Sequence, residues 1–404
     1  MPDFLWGAAT AAHQVEGGNR WNDWWALEES GRLPHRSGEA CRHYELFESD
    51  FDLARSLGHN AHRLSIEWSR IEPEEGRWSE ETLAHYVAVI AALRRRGLEP
   101  LVTLQHFTLP AWLARRGGWL AADALPRFAR YVEVVSAALT REVRYWITVN
   151  EPAVYAKHAF VTCDWPPCGK KSWISAVRVL RVLGRAHVCA YAILHQHRCD
   201  AMVGLAHSAP HIVPCNAASV RDRMAARLRD RALNDIPFRL FGCPARNVLD
   251  FIGVNYYARQ VVRANGFSAF GVECTADHHE ATRHFSKLGW EVFPPGLAQT
   301  LRNFARMGLP LLVTENGIAT DDEAERIQFL RDHVASLRQA RDAGLDVRGY
   351  FWWTLMDNYE WTAGREARFG LCETDYATQS RRPRAAAFEF RWLIGTRGAG
   401  GDGQ

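Results

Sequence analysis

The chain has 404 residues, 47% of them hydrophobic and 11% aromatic, which supplies enough apolar surface for one large core. Forty-nine basic residues against 46 acidic ones leave a formal charge of +3, and no clustered basic face of the kind a nucleic-acid binder needs. No apolar stretch reaches the ~18 residues of a membrane span, and Pro2-Asp3 runs directly into a strand-like segment rather than a signal peptide, so the expected address is the cytoplasm.

Strand-like runs alternate with helical patterns along the chain. The predicted strands are Phe4–Ala11, Ala61–Trp68, Glu99–Phe107, Tyr145–Val149, Ala201–His207, Asp250–Tyr256, Pro310–Thr314 and Val347–Leu355. Amphipathic patterns between them predict helices over Glu80–Arg96, Leu125–Leu139, Ser175–His195, Pro295–Met307 and Asp321–Ala343. Eight strands alternating with helices predict an α/β protein, a single (β/α)8 barrel with its active site at the C-terminal strand ends. An open doubly wound sheet is the rival, but the glycine-rich phosphate loop expected after an early strand is missing. The barrel domain is expected over residues 1–394, with the glycine-rich 395–404 as a flexible tail. The alternating charges of Arg221–Arg231 read as a solvated helix laced with local ion pairs.

Nine scattered cysteines form no CxxC pair, and the histidines show no HExxH spacing, so neither a metal nor a cofactor is expected. Cys163 and Cys168 could pair in an oxidising setting, but free thiols are the expectation. His195-Gln196-His197 and His278-His279 read as surface residues.

Two strand ends carry the chemistry. Thr148-Val149-Asn150-Glu151-Pro152 and Thr314-Glu315-Asn316-Gly317 each place a carboxylate directly after an apolar run. A lone glutamate there is usually a solvated loop residue. Two facing each other can divide the work of glycoside hydrolysis, one giving a proton while the other attacks carbon. The other predicted strand ends add Gln14 and Glu16, Arg63 and Glu67, His106, Asn255 and Tyr257, then Trp353, Asp357, Asn358, Glu360 and Trp361. Such a rim of carboxylates, amides and indoles suits a sugar, whose hydroxyls need polar partners and whose C–H face needs an aromatic one.

These segments resemble the family 1 glycoside hydrolases, retaining β-glucosidases and β-galactosidases, over nearly the whole chain. The resemblance rests on Phe4–Gly17, His62–Ile71, His106–Pro110, Thr148–Pro152, Thr314–Gly317 and Gly349–Trp361, in that order. It implies that Glu151 is the acid/base and Glu315 the nucleophile. A raised pKa would keep Glu151 protonated, while Arg63 and Tyr257 would favour the ionised form of Glu315. Asn150 is implied as the partner of the 2-hydroxyl. Gln14, His106, Glu360 and Trp361 are implied as hydroxyl ligands of the terminal sugar and Trp353 as its stacking floor, with Phe107, Asn255 and Phe369 completing the substrate-binding set. Glu16 and Glu67 are expected as supports for Arg63 or another buried donor.

The chain also departs from that pattern. Members that take 6-phosphorylated sugars have serine where Glu360 stands, with a lysine and a tyrosine nearby; the later positions here are Ala367 and Phe369. A negative Glu360 would repel phosphate, so an unphosphorylated β-glucoside is the expected substrate. Phe107 stands where many relatives have tryptophan, which predicts a looser contact. The short segment 207–249 and the unusual loop 160–172 predict a more open or differently walled leaving-group site. Rival readings are β-galactosidase or β-fucosidase specificity, transglycosylation at the same site, and a catalytically silent sugar-binding protein.

Overall fold

The computed structural model describes residues 4–242, 248–266, 268–274 and 283–396. Pro2-Asp3, Cys243, His278-His279 and positions 397–404 of the glycine-rich tail lie outside the described residues.

Eight parallel strands close on themselves: β1 (Leu5–Ala9), β2 (Ala61–Ser65), β3 (Glu99–Thr103), β4 (Tyr145–Asn150), β5 (Met202–Ser208), β6 (Phe251–Asn255), β7 (Leu311–Asn316) and β8 (Val347–Trp353). Each pairs with its chain neighbours, and β1 joins β2 (Gly7↔Ala61) to β8 (Leu5↔Gly349), which closes the barrel and rules out the open sheet. The eight predicted strands are the eight barrel strands. Several end sooner than expected, with single backbone bonds continuing past their ends: Ile66 N donates to Thr103 O at 3.0 Å, Leu104 N to Ile147 O at 2.8 Å and Asn150 N to Gln105 O at 2.9 Å.

Side chains alternate between two cores. Leu5, Ala9, Ala61, Leu101, Ile147, Phe251, Leu312, Phe351 and Trp353 fill the barrel interior. Trp6, Ala8, Leu64, Trp146, Leu311, Val313, Tyr350 and Trp352 face the helical layer. This period of two on every strand is what lets one buried sheet carry both faces. The predicted helices appear as Glu80–Arg95, Ala124–Leu139, Trp173–His197, Pro294–Ala305 and Glu323–Asp342. The first is capped by Ser79, whose hydroxyl accepts from Thr82 N at 3.1 Å, with Glu80 and Glu81 in its first turn.

Two small sheets were not predicted. One orders the strands His211–Pro214, Arg259–Asn265 and Ser268–Glu273; the other is the hairpin Cys372–Thr374 with Arg381–Pro383. The first sits beside the barrel mouth and carries the helix Val220–Asp230, whose Ala225 and Ala226 pack on Val262. That helix corrects the reading of its charges. Asp222 is buried and accepts the backbone N–H groups of Asn216 (3.1 Å) and Ala264 (2.9 Å), so it pins loop to strand instead of pairing along the helix. His195 is likewise no plain surface residue: its Nε2 lies 2.8 Å from Asp250 Oδ2, while His197 meets Glu133 at 2.7 Å. Cys163 and Cys168 are unbridged. Among the described residues, no helix is long and apolar enough to cross a membrane. The final helix runs Ala385–Gly395.

Candidate active site

Both strand-end carboxylates follow a break in strand register. On β4 the pairing with β5 shifts between Ile147 and Asn150; on β7 the pairing with β6 shifts between Val313 and Glu315. A bulge re-aims the residue that follows it. Glu151 then adopts φ +43° and ψ 59°, a left-handed conformation, before Pro152 starts the helix Pro152–Lys157. Glu151 and Glu315 are both buried, and both line one cavity of about 440 Å³ at the C-terminal ends of the strands.

The two carboxyls have unequal surroundings. Glu315 meets the Arg63 guanidinium through Oε1 and accepts the Tyr257 hydroxyl at Oε2, 2.6 Å away. Arg63 is fully buried on β2 and also donates to Asn150 Oδ1 at 2.6 Å, Thr103 Oγ1 at 3.2 Å and Thr314 O at 3.1 Å. Glu151 accepts one amide donor, Asn255 Nδ2 at 2.9 Å. Burial pushes the Glu151 carboxyl up to about 8, helped by the negative Glu315 and opposed by the Asn255 hydrogen bond and Arg63. Asn255 is fixed in turn by Thr314 Oγ1, which donates to its Oδ1 at 2.7 Å. Burial holds the Tyr257 phenol well above its usual range, so it remains a donor.

The other side of the cavity is aromatic. His106 lies nearly parallel to Trp353 (5.8 Å, 12°) and to Trp361 (6.1 Å, 12°), and Asn150 Nδ2 donates to its Nε2 at 3.4 Å. Burial and the nearby Arg63 charge keep this imidazole neutral. Glu360 Oε2 accepts from Gln14 Nε2 at 2.9 Å and Trp353 Nε1 at 3.3 Å. Gln14 is fully buried behind it, held also by Tyr359 O at 2.9 Å and Asn358 Oδ1 at 3.2 Å. Phe369 lines the cavity against Tyr257 and Trp290.

Of the two alternatives for Glu16 and Glu67, support for Arg63 or for another buried donor, the second holds: Glu16 takes the Tyr86 hydroxyl (2.8 Å) and Arg70 (2.9 Å), and Glu67 takes Ser69 (2.6 Å) and Thr108 (3.0 Å). Asp357 faces away from the cavity and pairs with Arg384 at 2.6 Å. Burial pushes the Glu360 carboxyl up to about 8, against the hydrogen bonds from Trp353 and Gln14 that lower it. Phe107 is buried, with ring contacts to His106, Trp165 and Trp361. Sequence reasoning missed Trp165, His158, Gln260, Glu273 and Trp290, which also line the cavity. Trp165 lay in the loop singled out as unusual, and its isolated indole was the available signal; the others carry no motif.

Known proteins match this arrangement along the chain. A family model described as Glycosyl hydrolase family 1 matches residues 1–239 and 244–399. A β-galactosidase of Pyrococcus woesei is 28% identical over 98% of this chain and 97% of its own length. β-Glucosidase A of Thermotoga maritima is 29% identical over 98% and 97%. The solved β-glycosidase of Pyrococcus horikoshii superposes with a TM-score of 0.90 at 41% identity, covering 97% of this chain and 93% of that one. A silent sugar-binding protein is therefore set aside: with this match spanning almost all of the sequence, the chain belongs to glycosyl hydrolase family 1 and is a glycoside hydrolase.

Proposed function

We propose that the protein is a retaining β-glycosidase that releases terminal, non-reducing β-D-glucosyl residues from unphosphorylated glucosides. Glu151 protonates the glycosidic oxygen while Glu315 attacks the anomeric carbon; the C–O bond to the leaving group breaks as the ester bond to Glu315 forms. Glu151, now ionised, takes a proton from water, whose oxygen displaces Glu315 and frees the sugar. The carboxyl groups of such a pair stand about 5–5.5 Å apart. Asn150 Nδ2 is the donor for the 2-hydroxyl, with Gln14, His106, Glu360 and Trp361 on the remaining hydroxyls and Trp353 beneath the ring.

The unequal setting of the two carboxyls carries this assignment. Arg63 and Tyr257 occupy both oxygens of Glu315, which suits an ionised attacking group. Glu151 is buried with a single amide donor, which suits a proton carrier. Glu315→Gly and Glu151→Ala test it: each should lower turnover of an aryl β-glucoside by orders of magnitude, and a variant with near-normal turnover would overturn its role.

β-Galactosidase specificity is the second reading, favoured by the name of the Pyrococcus woesei relative. Comparing kcat/KM over aryl β-glucoside, β-galactoside and β-fucoside separates the two. Transglycosylation draws support from the apolar lining of the cavity by Val154, Leu233, Leu288 and Trp290, and product analysis with an added alcohol or sugar acceptor tests it. A single catalytic domain over residues 1–394, with 395–404 as a tail, and a cytoplasmic address belong to the same proposal.

A further inference from the structure

Beyond the helix Pro152–Lys157 the chain makes a wide turn, His158–Thr162, and swings back to bury Trp165 against the aromatic side of the cavity. The indole touches four rings. It stacks on His158 (4.5 Å, 22°) and meets Phe107 (4.7 Å), Trp24 (5.4 Å) and Trp361 (5.9 Å). Two of those partners hold unfavourable backbones: Phe107 has φ +73° and Trp361 φ +50°. A bulky residue keeps such a conformation only where its neighbours over-determine it. Phe107 and Trp361 also touch each other (5.4 Å), so the two strained positions meet under one indole. The loop side is anchored as well. His158 Nδ1 lies 3.0 Å from both Asp164 oxygens, the Thr162 hydroxyl donates to Asp164, and Ser172 N donates to Phe160 O at 2.7 Å.

We propose that Trp165 is a positioning residue for the sugar site: it clamps Phe107 and Trp361 in their left-handed conformations, and the His158–Asp164 pair anchors the clamp. The inference rests on the reading of Trp361 and His106 as the wall that binds the terminal sugar. Trp165 is not among the hydrogen-bond partners of either carboxylate, so its removal weakens sugar binding and leaves the bond-breaking groups in place.

The test is steady-state kinetics on 4-nitrophenyl β-glucoside. Trp165→Ala should raise KM about tenfold with kcat within about threefold, and Trp165→Phe should recover most of the loss. Trp361→Ala should raise KM by itself, and adding Trp165→Ala to it should raise KM less than about twofold further, because the clamp then has nothing to hold. Additive effects, or a normal KM for Trp165→Ala beside a raised KM for Trp361→Ala, would overturn the clamp. A normal KM for Trp361→Ala would instead overturn the wall assignment, and the clamp with it. If Trp165→Ala does not fold, Asp164→Ala keeps the indole and removes its anchor. It should raise KM about threefold with kcat unchanged, and a normal KM there overturns the proposal equally.

Discussion

Tyr257 donates its hydroxyl to Glu315 Oε2 at 2.6 Å, and it reaches that oxygen from the loop just past β6 while Glu315 sits in the last two residues of β7. The neighbouring strands thus deliver a nucleophile and its donor to one point. Tyr257→Phe keeps the ring and its contacts with Trp290 and Phe369 but removes that donor. Loss of one well-placed donor at a reacting oxygen costs about 10²-fold in rate. We expect kcat to fall by that order on an aryl β-glucoside, with the folded state intact by circular dichroism. A kcat within threefold of the parent would remove Tyr257 from the mechanism.

The alkaline limb of the pH profile should belong to Glu151. Its carboxyl is pushed up to about 8, and it must carry a proton to start the reaction. kcat/KM should therefore fall above about pH 8, approaching tenfold per pH unit. Glu151→Gln should flatten that limb when the leaving group needs no proton, as with 2,4-dinitrophenolate. Asn255→Ala removes the amide that holds the Glu151 pKa down, so its limb should move to higher pH by about half to one unit. A limb that stays put in both variants would assign it to another group.

Glu360 offers a test on stability instead of rate. Burial raises its pKa from the ordinary 4.5 to about 8. The unfolded chain ionises first, so the stability held by the neutral carboxyl is whole below about pH 4.5 and is lost as the pH rises to about 8. Glu360→Gln keeps the shape and cannot ionise. Its unfolding free energy relative to the parent should improve between pH 5 and pH 8, by on the order of 1–2 kcal/mol once partial exposure is allowed for. Urea unfolding at the two pH values measures it, and an unchanged difference would mean that Glu360 is already ionised at pH 5.

Gly317 closes the β7 motif for a steric reason. A Cβ there would lie 2.1 Å from Trp353 O, a backbone atom of the adjacent strand end. Gly317→Ala must push apart the two chain segments that carry Glu315 and Trp353. We expect a loss of about 1–3 kcal/mol in stability and about a tenfold fall in kcat, since small displacements of reacting groups are costly. Normal values of both would show that the two segments part without disturbing the site.

The barrel and its two carboxylates were legible because each rests on a local signal. Val313 and Ile147 lie in apolar runs of strand length, and Glu315 and Glu151 stand where those runs stop. What surrounds the carboxylates was less legible. A carboxylate near an arginine in sequence does not reveal its partner, which is why Glu16 and Glu67 were left between Arg63 and another buried donor; they bind Tyr86, Arg70, Ser69 and Thr108. The strands Arg259–Asn265 and Ser268–Glu273 escaped notice because they are half exposed and interrupt their apolar positions with Arg263, Asn265 and Glu273. The ring that covers Phe107, Trp165, is far away in sequence and gave no local signal.

The left-handed backbone of Glu151 bears on how a ligand complex could be trapped. That conformation costs a side-chain-bearing residue roughly 1–2 kcal/mol and costs glycine almost nothing. Glu151→Gly therefore relieves a strained peptide and deletes a buried ionisable group in a single change. The inactive protein should melt at a higher temperature than the active one, and a stable, silent variant of this kind is a natural host for crystals that retain an intact glycoside.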